Sequence, residues 1–158
     1  MSQSTGCLFV HACPAALQHA VDDIADEVLH QSLVWHARTD TSSYADAVWV
    51  ASSGTAAVLC HELRRLGAVV FEVSEDPSDG VDGERYSFVP GLGLFRAATN
   101  SVGDVVVDEN QLGAALREAP NAEALRERLA RLLGRPWDDA LEPLRHRAAP
   151  VTAAAATG

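Results

Sequence analysis

The stretch from Gly6 to Glu75, GCLFVHACPAALQHAVDDIADEVLHQSLVWHARTDTSSYADAVWVASSGTAAVLCHELRRLGAVVFEVSE, decides the fold, because its apolar residues change period in a readable order. Cys7 to Ala12 is a short apolar run bounded by Gly6 and Pro14, which reads as a buried central strand. Pro14 then opens a helix. Leu17, Val21, Ile24 and Val28 recur there at helical spacing, while Gln18, Asp22, Asp23, Asp26 and Glu27 take the other side. Strands follow at Ser32 to Arg38 and Ala45 to Ala51, joined by the polar loop Thr39 to Tyr44. Ser52, Ser53, Gly54 and Thr55 punctuate the entry to a second helix, striped by Ala56, Leu59, Leu63 and Leu66 and stopped at Gly67. Val69 to Val73 supplies a fourth strand. The order strand, helix, strand, strand, helix, strand predicts an α+β fold, a ferredoxin-like βαββαβ sandwich with one antiparallel sheet and two helices on one face.

Outward from this core lies an acidic turn, Ser74 to Glu84, with Pro77, Gly80 and Gly83 among its carboxylates. Three short strands, Arg85 to Val89, Leu92 to Ala98 and Asp104 to Val107, extend the sheet as a β meander. Asp108 caps a helix to about Glu118, and Asn121 caps another that turns Leu125, Leu129 and Leu132 inward and ends at Gly134. Pro136 starts a last short helix. Residues 1–147 read as a single α+β domain, and residues 148–158 as a disordered Ala/Thr-rich tail.

With 158 residues, 47% hydrophobic and 22% charged, the chain has the composition of a globular domain able to bury one core. Its net charge of −10 argues against nucleic acid as a partner. All 12 basic residues are arginine, so Schiff-base chemistry and a Walker-type phosphate loop, which need lysine, are excluded. The arginines are uneven: five face 16 acids from Met1 to Gln111, whereas seven face six acids from Leu112 to Arg147. The C-terminal third therefore offers the only face complementary to an acidic protein. No apolar run is long enough to span a membrane, and Cys7, Cys13 and Cys60 lack disulfide or zinc spacing, which points to free thiols and a cytoplasmic location.

Candidate sites are few. His11 and Cys13, two apart in a strand, share a face, and a cysteine at a helix start has its thiol pKa lowered by the dipole. The alternative is a capping residue and a hydrogen-bonded strand-end histidine. His11 remains the catalytic candidate, with Glu75 as its carboxylate. Ser53, Gly54 and Thr55 form a strand-to-helix junction suited to an anion, or simply to capping the helix. Glu84, Arg85, Tyr86, Trp137, Asp138, Asp139 and Glu142 concentrate polar and aromatic groups. Arg85, Tyr86, Trp137 and Asp138 are the ligand-binding candidates, against a reading in which Arg85 pairs with an internal acid and Trp137 pins the last helix to the core. Glu127 is placed to pair with Arg131 on a solvated helix face. The histidines His19, His30, His36, His61 and His146 have no metal-ligand spacing, so neither metal nor cofactor is expected.

Four ordered blocks carry a family resemblance: Phe9 to Leu17 (FVHACPAAL), Phe71 to Ser78 (FEVSEDPS), Gly83 to Tyr86 (GERY) with Pro90, Leu92 and Gly93 behind it, and Arg135 to His146 (RPWDDALEPLRH). In these the chain resembles the actinobacterial domain-of-unknown-function family 3145 (DUF3145) from about Gly6 to Arg147. The resemblance implies no assigned activity and a link to fatty-acid metabolism. The residues favour a non-catalytic binding or regulatory module, whose sheet dimerises or receives a small metabolite or protein partner. The alternative is a small enzyme acting on an anionic substrate through a His/carboxylate pair with an Arg anchor.

Overall fold

A computed structural model of the protein describes residues 2–148. Seven strands, β1 (Gln3–Pro14), β2 (His36–Ala37), β3 (Ser42–Ser52), β4 (Val70–Glu75), β5 (Gly83–Val89), β6 (Gly93–Thr99) and β7 (Val105–Val106), form one sheet in the order β2-β3-β1-β4-β5-β6-β7. Every neighbouring pair is antiparallel. The helices are α1 (Gln18–Leu29), α2 (Thr55–Arg65), α3 (Glu109–Glu118), α4 (Ala122–Leu132) and α5 (Arg135–Ala148). The protein is thus a mixed α+β fold. The tail expected at 148–158 lies outside the described residues from 149 onward.

Strand alternation builds the core. Leu8 and Val10 of β1, Ala45 and Trp49 of β3, Phe71 and Val73 of β4, and Tyr86 and Phe88 of β5 point to one face, where they meet Val21, Ala25 and Leu29 of α1 and Ala56, Leu59, Cys60 and Leu63 of α2. Leu17 packs against the same cluster. Leu8, Leu59, Leu63 and Phe71 are fully buried, each contributing about 1.5–3 kcal/mol of transfer free energy.

Four expectations need correction. The opposite face of the sheet is not bare, because α5 packs across β1 and β5 there, making a helix, sheet, helix arrangement over part of the molecule. That last helix runs for 14 residues with Pro143 inside it, rather than as a short terminal turn. The second strand shrinks from Ser32–Arg38 to His36–Ala37, because its upstream half is held by side chains instead of a ladder: Leu33 enters the core, and Trp35 Nε1 donates to Asp22 Oδ1 of α1 at 2.9 Å. Pro14 remains in β1, opposite Ser42, so α1 starts only after a 3-10 turn at Ala15–Leu17.

The C-terminal caps follow from local chemistry. Asp108 Oδ1 accepts from Gln111 N–H at 2.8 Å while Gln111 Oε1 accepts from Asp108 N–H at 3.0 Å, a capping box on α3. Asn121 Oδ1 accepts from Ala124 N–H at 2.9 Å to start α4. At the α4–α5 joint Gly134 has φ +75°, and a Cβ there would lie 2.6 Å from the Phe95 ring, so the joint sits directly on β6. No helix among the described residues is long and apolar enough to cross a membrane.

Candidate functional site

Between the sheet and α5 lies a cluster of ionisable groups. Glu72 stands between the core residues Phe71 and Val73, so alternation turns it to the α5 face, opposite Phe9 on β1 and Ser87 on β5. Asp138 and Arg145, seven residues apart, share one side of α5 and come down onto it. Glu72 Oε2 accepts from His11 Nε2 at 2.7 Å and Arg145 Nε at 3.2 Å; Oε1 accepts from Arg145 Nη2 at 2.5 Å and Arg85 Nη2 at 3.2 Å. Arg85 Nη2 also donates to Asp138 Oδ1, and Arg145 Nη2 lies 3.3 Å from the same oxygen. Burial would push the Glu72 carboxyl up, but the hydrogen bonds from His11 and Arg145 and the charge of Arg145 outweigh it and hold it at about 2.

A second buried cation supports this layer. The Arg38 side chain is 2% exposed; its Nη1 donates to His11 O at 3.0 Å and to Leu144 O at 3.3 Å, tying β1 to the last turns of α5. Among the described residues its Nε and Nη2 have no hydrogen-bond partner, and Asp40 Oδ1 lies 3.7 Å from Nε. Sequence reasoning assigned Arg38, Glu72 and Arg145 no role in a site. The available signal for Glu72 was a lone carboxylate inside the apolar run Val69 to Val73, which a buried strand must satisfy.

The cluster unites candidates from separate parts of the sequence: His11, Arg85 and Asp138 meet there. Arg85 pairs with internal acids, and buried Trp137 anchors α5, its Nε1 donating to Gly93 O at 2.9 Å and its ring 5.3 Å from that of Phe95. Tyr86 does not join them. Adjacent strand residues point to opposite faces, so Tyr86 lies in the α2 core, where its hydroxyl donates to Glu84 at 2.5 Å; burial and the Glu84 carboxylate push the phenol up.

Glu75 is also elsewhere. The β1–β4 register sets it opposite Gly6, five residues from His11, or about 16 Å along the strand at ~3.3 Å per residue. Its carboxylate accepts from Ser4 Oγ at 2.7 Å, Gly54 N–H at 2.8 Å and Ala56 N–H at 2.9 Å. The junction Ser53, Gly54, Thr55 therefore already holds an anion, the protein's own, and neither Ser53 nor Thr55 caps α2: Ser53 Oγ meets Ser2 and Ser78, and Thr55 Oγ1 donates to Ser52 O. Glu75→Ala is expected to lose about 1–2 kcal/mol in chemical denaturation, because two helix-start amides lose their acceptor. An unchanged midpoint would mean that the cap does not matter.

Cys13 and His11 part company at a β-bulge. The β1 register shifts between Val10 and Cys13, so Cys13 enters the core while His11 faces Glu72. Burial, reinforced by the Asp22 charge, pushes the Cys13 thiol up to about 11, which makes it inert rather than activated. Among the described residues no group of three His, Cys, Asp or Glu could hold a metal ion.

The chemistry of the cluster is that of a clamp. Both Glu72 oxygens are occupied by N–H donors, His11 is 5% exposed, and α5 roofs the site. An open concavity lies at its margin, a groove of about 510 Å³ between β6, β7, α3 and α4, with Leu94, Phe95, Val106, Ala114 and Leu132 in its apolar lining. Arg96, Arg128 and Arg131 also line it, against the single carboxylate Glu118. Arg128 Nη1 donates to Glu118 at 2.5 Å, joining α4 to α3. The Glu127–Arg131 pair is not formed among the described residues; the Arg131 guanidinium lies over Trp137, 5.9 Å from the ring centre.

Fold and site together define an α+β protein with a seven-stranded antiparallel sheet, an internal ionic clamp under its last helix and an arginine-lined groove beside it. Residues 7–154 match the model of the family described as "Protein of unknown function (DUF3145)", and the chain belongs to that family. No curated protein and no solved structure matches it.

Proposed function

We propose that this protein is a non-catalytic binding module whose ligand site is the groove between β6, β7, α3 and α4. The observation that carries the reading is the groove itself: its volume of about 510 Å³ falls within the range of roughly 300–1,000 Å³ usual for ligand sites, and it pairs an apolar lining with a few charged groups. The clamp supports it from the other side, since the acid/base residues are engaged with one another. Three free thiols suit a reducing compartment such as the cytoplasm. The scaffold is read as a ferredoxin-like unit extended by a meander. In support, β2-β3-β1-β4 carries the order of a split βαβ unit with α1 and α2 on one face, and β5 to β7 continue beyond its edge.

The test is a thermal-shift series with small carboxylates and phosphates on the wild-type chain and on Ala114→Trp, which fills the groove. A ligand at a hundred times its Kd stabilises the protein by about 2.7 kcal/mol, and the variant should lose that shift while keeping its unliganded midpoint. Equal stabilisation of both proteins would remove the groove from consideration. A ligand recovered chemically altered would favour the second reading, an enzyme using the His11–Glu72 contact at 2.7 Å with Arg85 as anion anchor.

A further inference from the structure

The groove has an open strand edge in its wall. Asn100 N–H donates to Asp104 O at 3.0 Å across the β6–β7 turn, and Gly103 N–H donates to Asn100 O at 3.0 Å. Because an antiparallel strand directs the N–H and C=O of alternate residues to the same side, Ala98, Arg96 and Leu94 also present theirs toward β7. β7 is too short to meet them. It pairs with Thr99 and Ala98 only, after which the chain turns through Asp108 into α3. Among the described residues, the main-chain groups of Leu94 and Arg96 on that side have no partner, and both residues line the groove. A strand edge left unpaired in this way is a template for another extended chain.

The surroundings state what kind of chain fits. Gly93 to Arg96 leaves room for about four residues, or ~13 Å, in the lane that β7 vacates. Val106, Leu132 and Ala114 offer apolar contacts to alternate side chains on one side of that lane. Arg96, Arg128 and Arg131 border it; Arg96 is paired with Glu84 and turned over Tyr86 on the α2 side, and Arg128 is paired with Glu118. Arg131 has no carboxylate within ion-pair distance among the described residues and is held over Trp137. Among the described residues Arg131 is thus the uncompensated cation of the groove, and on a protein whose net charge is −10 it favours an acidic occupant over a second copy of this acidic chain.

We infer that an extended acidic peptide segment of a protein partner binds here by strand addition, antiparallel to β6, with its main chain paired to Leu94 and Arg96 and its carboxylates facing Arg128 and Arg131. The inference rests on the binding reading above and specifies the partner of that same groove. Main-chain pairing supplies affinity, while the arginines and the alternating apolar contacts supply selectivity.

The experiment uses the full chain and a pool of N-acetylated hexapeptides with Asp or Glu at alternate positions and the intervening positions randomised. Members of the pool should bind, slow hydrogen exchange at the Leu94 and Arg96 amides by about tenfold or more, and weaken by about tenfold when alternate peptide nitrogens are methylated. Arg131→Glu should weaken binding by about tenfold, and Lys in place of the acids should abolish it. If no member binds more tightly than about 1 mM, or if N-methylated peptides bind as well and leave Leu94 and Arg96 unprotected, strand addition is overturned while the groove reading stands. Peptide binding that Ala114→Trp leaves untouched would overturn both, by placing the site elsewhere.

Discussion

Glu72→Ala is expected to cost about 3–5 kcal/mol, lowering Tm by on the order of 10 °C. The magnitude comes from what remains rather than from what is removed. Without the carboxylate, Arg85, Arg145 and His11 are left facing one another under α5, with Asp138 between the two guanidinium groups and Glu142 3.9 Å from Arg145 on its outer side. Removal of one member of a buried ion pair is far more damaging than its simultaneous replacement with its partner. Glu72→Ala combined with Arg145→Ala should therefore cost clearly less than the sum of the single changes in a double-mutant cycle. Additive losses would show that the groups are neighbours without coupling.

The same carboxylate gives the molecule an acid dependence of definite sign. Its folded pKa, about 2, lies below the ordinary 4.5, so the native state favours the ionised form. The stabilisation is complete above about pH 4.5 and drains away as pH falls toward 2; the difference corresponds to about 3 kcal/mol. In Glu72→Gln the fall in unfolding free energy between pH 5 and pH 2 should be shallower by about that amount. Parallel pH profiles for variant and wild type would contradict the assignment.

The parts of the fold legible in the sequence are those where one local rule decides the outcome. The stripes of α1 and α2 and the capping residues Asp108 and Asn121 act within a few residues of themselves, and the elements form where they point. Ser32 to Arg38 reads as a strand by its apolar content, yet Leu33 and Trp35 satisfy themselves against the core and α1 without a ladder. The site was harder because its geometry is set by register. His11 needs a carboxylate, and Glu72 and Glu75 are both on β4, but only pairing with β1 shows that one faces it and the other caps α2. The Arg85–Tyr86 grouping fails on alternation alone, which the sequence does contain. The groove depends on β7 stopping at Val106, a consequence of the α3 cap that no pattern in β6 announces.

Gly6→Ala is expected to destabilise the protein by about 3 kcal/mol, although local preference says the reverse. Gly6 does not have the positive φ that demands glycine, and in a strand interior glycine is the poorer residue by roughly 0.5–1 kcal/mol. The constraint is steric and comes from two neighbouring strands. A Cβ at residue 6 would lie 2.1 and 2.4 Å from Cζ2 and Cε2 of Trp49 on β3, and 2.5 Å from the Ser74 carbonyl oxygen on β4. The carbonyl belongs to the ladder and cannot retreat without breaking strand pairing; the indole is 2% exposed and fills the space between β3, β1 and the helices. Either Trp49 leaves its rotamer or the β1–β3 ladder opens, and both cost core packing. The discriminating measurement is a denaturation cycle with Trp49→Leu, which removes the obstructing ring at its own cavity cost. In that background Gly6→Ala should be neutral or mildly stabilising, as strand propensity alone would have it. If Gly6→Ala is harmless in the wild-type chain, the indole does not lie across Gly6 and the packing at the centre of this sheet is wrong.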